Sequence, residues 1–317
     1  NQTLLGITAK QNLPLDGVHY EHRWFNAWPR NTTEIFLKNG INCEIGDIIY
    51  TINDVNIGFE ICEDAWVKDR PACRLIDRKV ELIINPSASH FAFNKTKRRK
   101  QLIIDSSDTF NCAYLYVNAL GNEAGKLIYD GEIILAKKGK LLKYNSLLSM
   151  ESQNLLDCDL EFDADGENEL TIKVDSKNEE FGKAESLALF DYLRKSKSRG
   201  FVLSLSGGAD SATCAVLVAE MIKNGIATLG VSEFLNKIGR SDIEIQYDEN
   251  SVEIEKKVID MVQNKTHILD VSFDPLRIDV NNVDASDKII DFEKLRFWGE
   301  FENAIFLDDN GFLINSH

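Results

Sequence analysis

The sequence predicts an α/β chain built from two domains. Three observations carry that reading. Short β-branched or aromatic runs alternate with polar, helix-like stretches between residues 47 and 136. An acidic, weakly periodic stretch follows at 157–183. Beyond it, an apolar run ends abruptly in glycines at the start of a helical pattern. A chain of 317 residues that is 44% hydrophobic can bury one large core or two ordinary ones, so two domains are affordable.

Each element has its own warrant. Residues 47–53 (DIIYTIN), 55–61 (VNIGFEI), 80–85 (VELIIN) and 112–118 (CAYLYVN) have strand composition, and 98–108 reads as a polar helix. Residues 132–136 and 140–144 flank Lys-Lys-Gly-Lys, a hairpin signal that brings antiparallel pairs into the sheet. The first domain is therefore expected over 1–156 as a mixed sandwich, with 157–183 as linker and a second domain over 184–317. In the second, 184–195 has helical periodicity, 200–206 (GFVLSLS) reads as a buried strand and 212–222 as a helix. In the tail from about 240, 251–263 reads as a helix and 267–271 as a strand. Short apolar pieces over 301–314 surround an Asp-Asp-Asn-Gly turn.

Composition narrows the function classes. A formal net charge of −15 opposes a phosphate backbone, so no nucleic-acid partner is expected. The N-terminal residues lack a basic region and a long apolar run, so no membrane association is expected either. The six cysteines, Cys43, Cys62, Cys73, Cys112, Cys158 and Cys214, contain no Cys-x-x-Cys pair. They read as reduced thiols in a cytoplasmic protein.

Two places carry chemistry. The first is the expected strand running into Ser206-Gly207-Gly208-Ala209-Asp210-Ser211 and then a helix. That order gathers backbone N–H groups and the positive end of a helix dipole at one point, which suits phosphate. The glycines allow close approach, Ser206 and Ser211 can donate hydroxyl hydrogen bonds, and Asp210 suits a bound Mg²⁺. Two glycines alone would suggest only a tight turn; the full six-residue string favours phosphate. No Gly-Lys-Ser/Thr closes it, so it is not a Walker loop.

The second place is Gly58-Phe-Glu-Ile-Cys62-Glu-Asp-Ala-Trp66, a lone cysteine just after a strand. An isolated cysteine is more often a small buried hydrophobe than a nucleophile. A nucleophilic thiolate needs a nearby cation or exposed N–H groups, and Lys10 is one such cation. The run Lys95-Thr-Lys-Arg-Arg-Lys100 reads as a solvated helix face, with no role given to Lys97 through Lys100.

The string LSLSGGADSA, spanning Ser204 and Leu205 through Ser211, resembles the pyrophosphate loop of the N-type ATP pyrophosphatases. GFEICEDAW resembles the nucleophile motif of the nitrilase superfamily. Its Cys-Glu-Asp continuation resembles the glutaminase domain of the glutamine-dependent NAD⁺ synthetases. NPSASHF (85–91), AKQNLP (9–14) and YEHRWF (20–25) are similar to further motifs of that domain, in the same order. The resemblance covers about residues 4 to 235. It implies a nitrilase-like α-β-β-α sandwich followed by a partial adenine-nucleotide α-hydrolase-like, Rossmann-like parallel domain. It makes Cys62 the nucleophile, Lys10 the catalytic lysine and Glu21 the carboxylate that orients it. The N–H of Glu63 becomes an oxyanion donor, Ser89 and Lys95 hold glutamine's α-amino and carboxylate groups, and Trp66 walls the pocket. The implied substrates are L-glutamine, ATP with Mg²⁺, and nicotinic acid adenine dinucleotide, which would be adenylated and then amidated to NAD⁺. A homo-oligomer is expected by the same likeness.

Two departures accompany it. Nitrilases place a general-base glutamate well before the lysine, and nine residues precede Lys10 here, so an N-terminally truncated glutaminase domain is expected. The second ATP-site motif and the late dinucleotide motifs are not recognisable after 238. Alternatives are another nitrilase-coupled ATP-pyrophosphatase amidotransferase, or a catalytically silent fragment that binds ATP or a partner.

Overall fold

The computed structural model describes residues 4–122, 127–162, 176–204 and 208–241, with the strand residues 306–307 and 313–314. Contacts divide the chain into two units, Asn1–Asp175 and Ser176–His317. The division falls inside the acidic stretch at 157–183.

The first unit is built on a six-stranded mixed sheet. Its strands are β4 (Tyr50–Ile52), β5 (Val55–Phe59), β6 (Leu82–Ser87), β7 (Ala113–Asn118), β10 (Ile133–Lys137) and β11 (Lys140–Tyr144). They lie in the order β11-β10-β7-β6-β5-β4. The pairs β5/β6 and β6/β7 are parallel; β4/β5 and β10/β11 are antiparallel hairpins, and β7/β10 is antiparallel. Parallel neighbours need crossovers, supplied by the short helix α1 (Ala72–Leu75) and by α2 (Lys95–Thr109). The core lies between these helices and the sheet: Leu75, Ile83, Ile103, Tyr114, Ile134 and Leu141 are almost wholly buried. β5 passes so close to α1 that a Cβ on Gly58 would stand 2.7 Å from Leu75 Cδ1. Only glycine fits there without movement.

A second sheet was not read from the sequence. β1 (Ile7–Thr8) pairs in parallel with β3 (Ile41–Gly46), which pairs with β2 (Thr33–Lys38) across Asn39-Gly40. Both turn residues have positive φ, as a two-residue hairpin loop requires. β8 (Leu120–Asn122) and β9 (Ile128–Asp130) form a further pair.

In the second unit, α3 (Lys177–Ser196) starts seven residues before the helix expected at 184. Ser176 and Glu179 form a capping box, which sets the helix start within the acidic stretch. α4 (Ala209–Leu229) packs on α3 through Ala215, Val218, Met221 and Ile222, and α5 (Val231–Lys237) follows. α4 is long and apolar enough to reach bilayer length, with mean hydropathy 1.3, but its regularly spaced buried face suits a helix packed on protein. β12 (Phe306–Leu307) and β13 (Leu313–Ile314) form a small antiparallel pair where the Asp-Asp-Asn-Gly turn was expected. The helix expected at 251–263 and the strand at 267–271 lie outside the described residues.

The buried strand expected at 200–206 is corrected over residues 200–203; 205 and 206 lie outside the described residues. Phe201, Val202 and Leu203 are not in a strand, and Val202 is 88% exposed. Apart from a single bridge at Ser204, no strand flanks this run among the described residues, so the ladder that would bury it is missing there.

Candidate active site

β5 leads directly into the cysteine. Glu60 is fully buried and its carboxylate accepts hydrogen bonds from Arg70 Nε at 2.9 Å, Tyr114 Oη at 2.6 Å and the Ala72 N–H at 2.8 Å. Arg70 also donates to Ser106 Oγ at 3.0 Å. This buried, fully bonded network anchors the chain two residues before Cys62. Cys62 itself has φ +50°, opening a 3-10 turn over Cys62–Trp66. A non-glycine residue held there costs about 1–3 kcal/mol, a strain typical of nucleophiles presented on a sharp turn. The thiol is half-buried and unbonded to other cysteines.

Asp64 holds the turn and the lysine segment together. Its carboxylate accepts from the Ile61 N–H at 3.0 Å, the Asn12 N–H at 2.7 Å and Asn12 Nδ2 at 2.9 Å. Burial outweighs these bonds and pushes its carboxyl up from the usual range. Cys62 and Lys10 thus each stand two residues before a member of the Asp64–Asn12 pair. Lys10 Nζ lies 2.5 Å from Glu21 Oε2. Glu63 is pushed up by burial, with Lys10 opposing that shift, so the lysine's charge reaches the residue next to the thiol. Trp66, at the end of the turn, is 36% exposed.

The loop after β6 forms another part. Ser89 is buried; its N–H donates to Asn118 Oδ1 at 2.8 Å, and its carbonyl accepts from Asn118 Nδ2 and Arg99 Nη2. Lys95 opens α2 and donates to the His90 carbonyl at 2.9 Å. Burial first, then Arg99, lower its ammonium below the ordinary lysine range, while Cys62 opposes that shift. Cys62 and Lys95 therefore share an electrostatic neighbourhood.

The solvated helix face expected at 95–100 is corrected here. Arg99 is fully buried, 2.5 Å from Asp130 and 2.9 Å from Glu132, and Lys100 is buried above the Tyr144 ring. Thr96 hydroxyl donates to Glu132 as well. The acceptors lie more than 30 positions downstream, so no local pattern announces them. Sequence reasoning missed this network and that of Glu60 and Arg70. The only local signal is an excess of charge on a helix that has to cover a sheet.

Of the predicted phosphate cradle, Ser204 and Gly208 through Ser211 are described; Leu205, Ser206 and Gly207 are not. Gly208 caps α4, Ala209 and Asp210 begin it, and Ser211 Oγ donates to the Gly208 carbonyl at 3.1 Å. No cluster of three metal-ligating side chains forms around Asp210 among the described residues. A single exposed carboxylate fits Mg²⁺, which is usually held by one or two carboxylates together with substrate phosphates.

Fold and site together define an α/β chain with a strained cysteine elbow, a lysine–glutamate pair tied to it, and a glycine-capped helix in a separate unit. Comparison with known proteins gives that class its relatives. Residues 183–288 match the NAD synthase family model, which continues past the point near 240 where recognisable motifs stop. The chain is 29% identical to the human glutamine-dependent NAD(+) synthetase over 70% of its own length and 38% of that protein's. A glutamine-dependent NAD(+) synthetase from Cytophaga hutchinsonii superposes with a TM-score of 0.65 at 47% identity, covering 80% of this chain and 40% of that one. A glutamine-dependent NAD+ synthetase from Acinetobacter baumannii, solved with ADP, shares the fold at TM-score 0.51 and 19% identity, over 80% of this chain and 47% of that one. The chain is similar to the glutamine-dependent NAD(+) synthetases and spans about two-fifths of the length of those it matches.

Proposed function

We propose that this chain carries the glutaminase site and the start of the nucleotide site of a glutamine-dependent NAD⁺ synthetase. The observation that carries the reading is the elbow: a strained, half-buried Cys62 tied through Asp64 and Asn12 to the Lys10–Glu21 pair.

Cys62 Sγ attacks the side-chain amide carbon of L-glutamine, and the thiol proton passes to the Lys10–Glu21 pair. The tetrahedral oxyanion is stabilised by the Lys10 ammonium and the Glu63 N–H. The proton returns to the departing nitrogen, ammonia leaves, and water hydrolyses the thioester, a step that needs a general base, while Glu21 orients Lys10. Ser89 and Lys95 bind glutamine's α-amino and carboxylate groups, and Trp66 walls the pocket. Lys95 suits a carboxylate because its half-buried ammonium lacks full solvation and gains from an anion.

In the second unit, Ser204 through Ser211 grip the pyrophosphate of ATP. Asp210 would hold Mg²⁺, which neutralises phosphate charge when bound. Ammonia from the first site then displaces AMP from adenylated nicotinic acid adenine dinucleotide to give NAD⁺. A cytoplasmic, homo-oligomeric protein is the setting we expect.

The test is covalent labelling with a glutamine-analogue diazo-ketone followed by peptide mapping. Label is expected at Cys62 and is expected to be blocked by excess glutamine. Exposed Cys73, Cys158 and Cys214 should show no such protection, and Cys112, whose thiol burial pushes up to about 12, should stay unlabelled. Labelling confined to unprotected surface thiols would defeat the reading.

A further inference from the structure

Three side chains outside the proposed chemistry converge on one point. Asp16 and His19 come from the segment between β1 and β2, and His90 from the loop after β6. One ligand atom from each lies within 4.8 Å of the others. Nε2 of His19 and Nδ1 of His90 are 3.3 Å apart, with the rings tilted 41° to each other.

That spacing has a chemical meaning. Two nitrogens bound tetrahedrally to Zn²⁺ at about 2.0–2.1 Å stand about 3.3–3.4 Å apart. The imidazoles therefore already hold the nitrogen-to-nitrogen edge of such a site, with a shared proton where the ion would sit. The carboxylate is also preset. Asp16 Oδ1 accepts from the Val18 N–H at 2.9 Å and the His19 N–H at 2.7 Å, an Asx turn that fixes the side chain and leaves Oδ2 for a ligand.

We propose that Asp16, His19 and His90 form a binding site for a borderline divalent cation, Zn²⁺ being the best match. Two neutral imidazoles and one carboxylate leave a fourth position for water or an exogenous ligand. The opposing charges are Lys95 and Arg99, whose side chains donate to the His90 carbonyl; the Asp16 carboxylate is the compensating anion. An ion here would clasp the segment leading into Glu21 to the loop that carries Ser89. The proposal stands whether or not the glutaminase reading holds.

The full chain, stripped with chelator, is titrated with Co²⁺ as the spectroscopic probe and then with Zn²⁺. Visible d–d bands of tetrahedral intensity should saturate at one equivalent and vanish as Zn²⁺ displaces Co²⁺. His19→Ala, on a partly exposed segment, should weaken Zn²⁺ binding at least about tenfold, and His90→Gln likewise, each with a thermal melt in chelator to show that the variant is folded. His22→Ala, three residues from His19, should bind as the parent chain does, and so should Cys62→Ser. The idea fails if no bands develop, if His19→Ala binds as tightly as the parent, or if Cys62→Ser abolishes the signal. The first two outcomes leave a plain imidazole hydrogen bond; the third assigns the metal to the thiolate.

Discussion

The turn at Cys62 and the start of α4 both follow an apolar run and both carry a recognisable string, yet they are held in different ways. The unit that carries Cys62 has a buried frame: Glu60 with Arg70, and Arg99 with Asp130 and Glu132. At α4, Gly208, Ala209 and Asp210 are exposed, and Phe201, Val202 and Leu203 before them lie outside any strand. The elbow finds its partners between residues 12 and 132, all in its own unit, whereas the run before α4 has no flanking strand among the described residues. A strained functional turn is sustained when the surrounding structure over-determines it.

That contrast can be broken or sharpened by measurement. Arg99→Met removes the cation paired with buried Asp130 and leaves Glu132 only the more distant Lys100, and should cost about 3–5 kcal/mol in denaturant unfolding of the first unit. A loss below about 1 kcal/mol would mean that the network contributes little. Cys62→Gly removes the left-handed strain and should stabilise by about 1 kcal/mol while abolishing the glutamine-protected label. A destabilised glycine variant would show that the thiol's packing outweighs its backbone cost.

A smaller effect is expected from His90. Burial first, then the charges of Lys95, His19 and Arg99, hold its imidazole below the ordinary histidine value, with Asp16 opposing. Its contribution is therefore present above about pH 6.5 and lost as the pH falls through the lower folded value, because the unfolded chain takes up the proton first. His90→Gln should flatten that part of the melting-temperature profile between about pH 5 and 7 in the presence of chelator. Smallest of all, Val202→Asp should shift stability by no more than about 0.5 kcal/mol, as for any exposed site. A large loss would place that run in a buried strand and erase the contrast.

The sequence made the central strands legible because β5, β6 and β7 are apolar, β-branched or aromatic runs, at least half-buried along most of their length. It made the elbow legible through a family resemblance, since the φ of Cys62 leaves no compositional trace. β2 and β3 escaped because both faces are largely exposed, with Ile35 and Leu37 open to solvent, so no clean alternation marks them. The buried charges of α2 escaped because Arg99 and Lys100 look like surface residues until their acceptors on β9 and after it are known. At α4 the strand was over-read: apolar composition states what a run can bury, and burial still requires neighbours.

The buried guanidinium of Arg99 has a consequence for how such a protein can diverge. It fixes the carbonyl of Ser89, so the proposed wall for glutamine's α-amino and carboxylate groups and the scaffold of the first unit are one and the same construction. Changes in what this pocket accepts should then accumulate at the exposed side chains of Leu15, Val18 and Tyr20, whose replacement leaves the buried Arg99 network untouched.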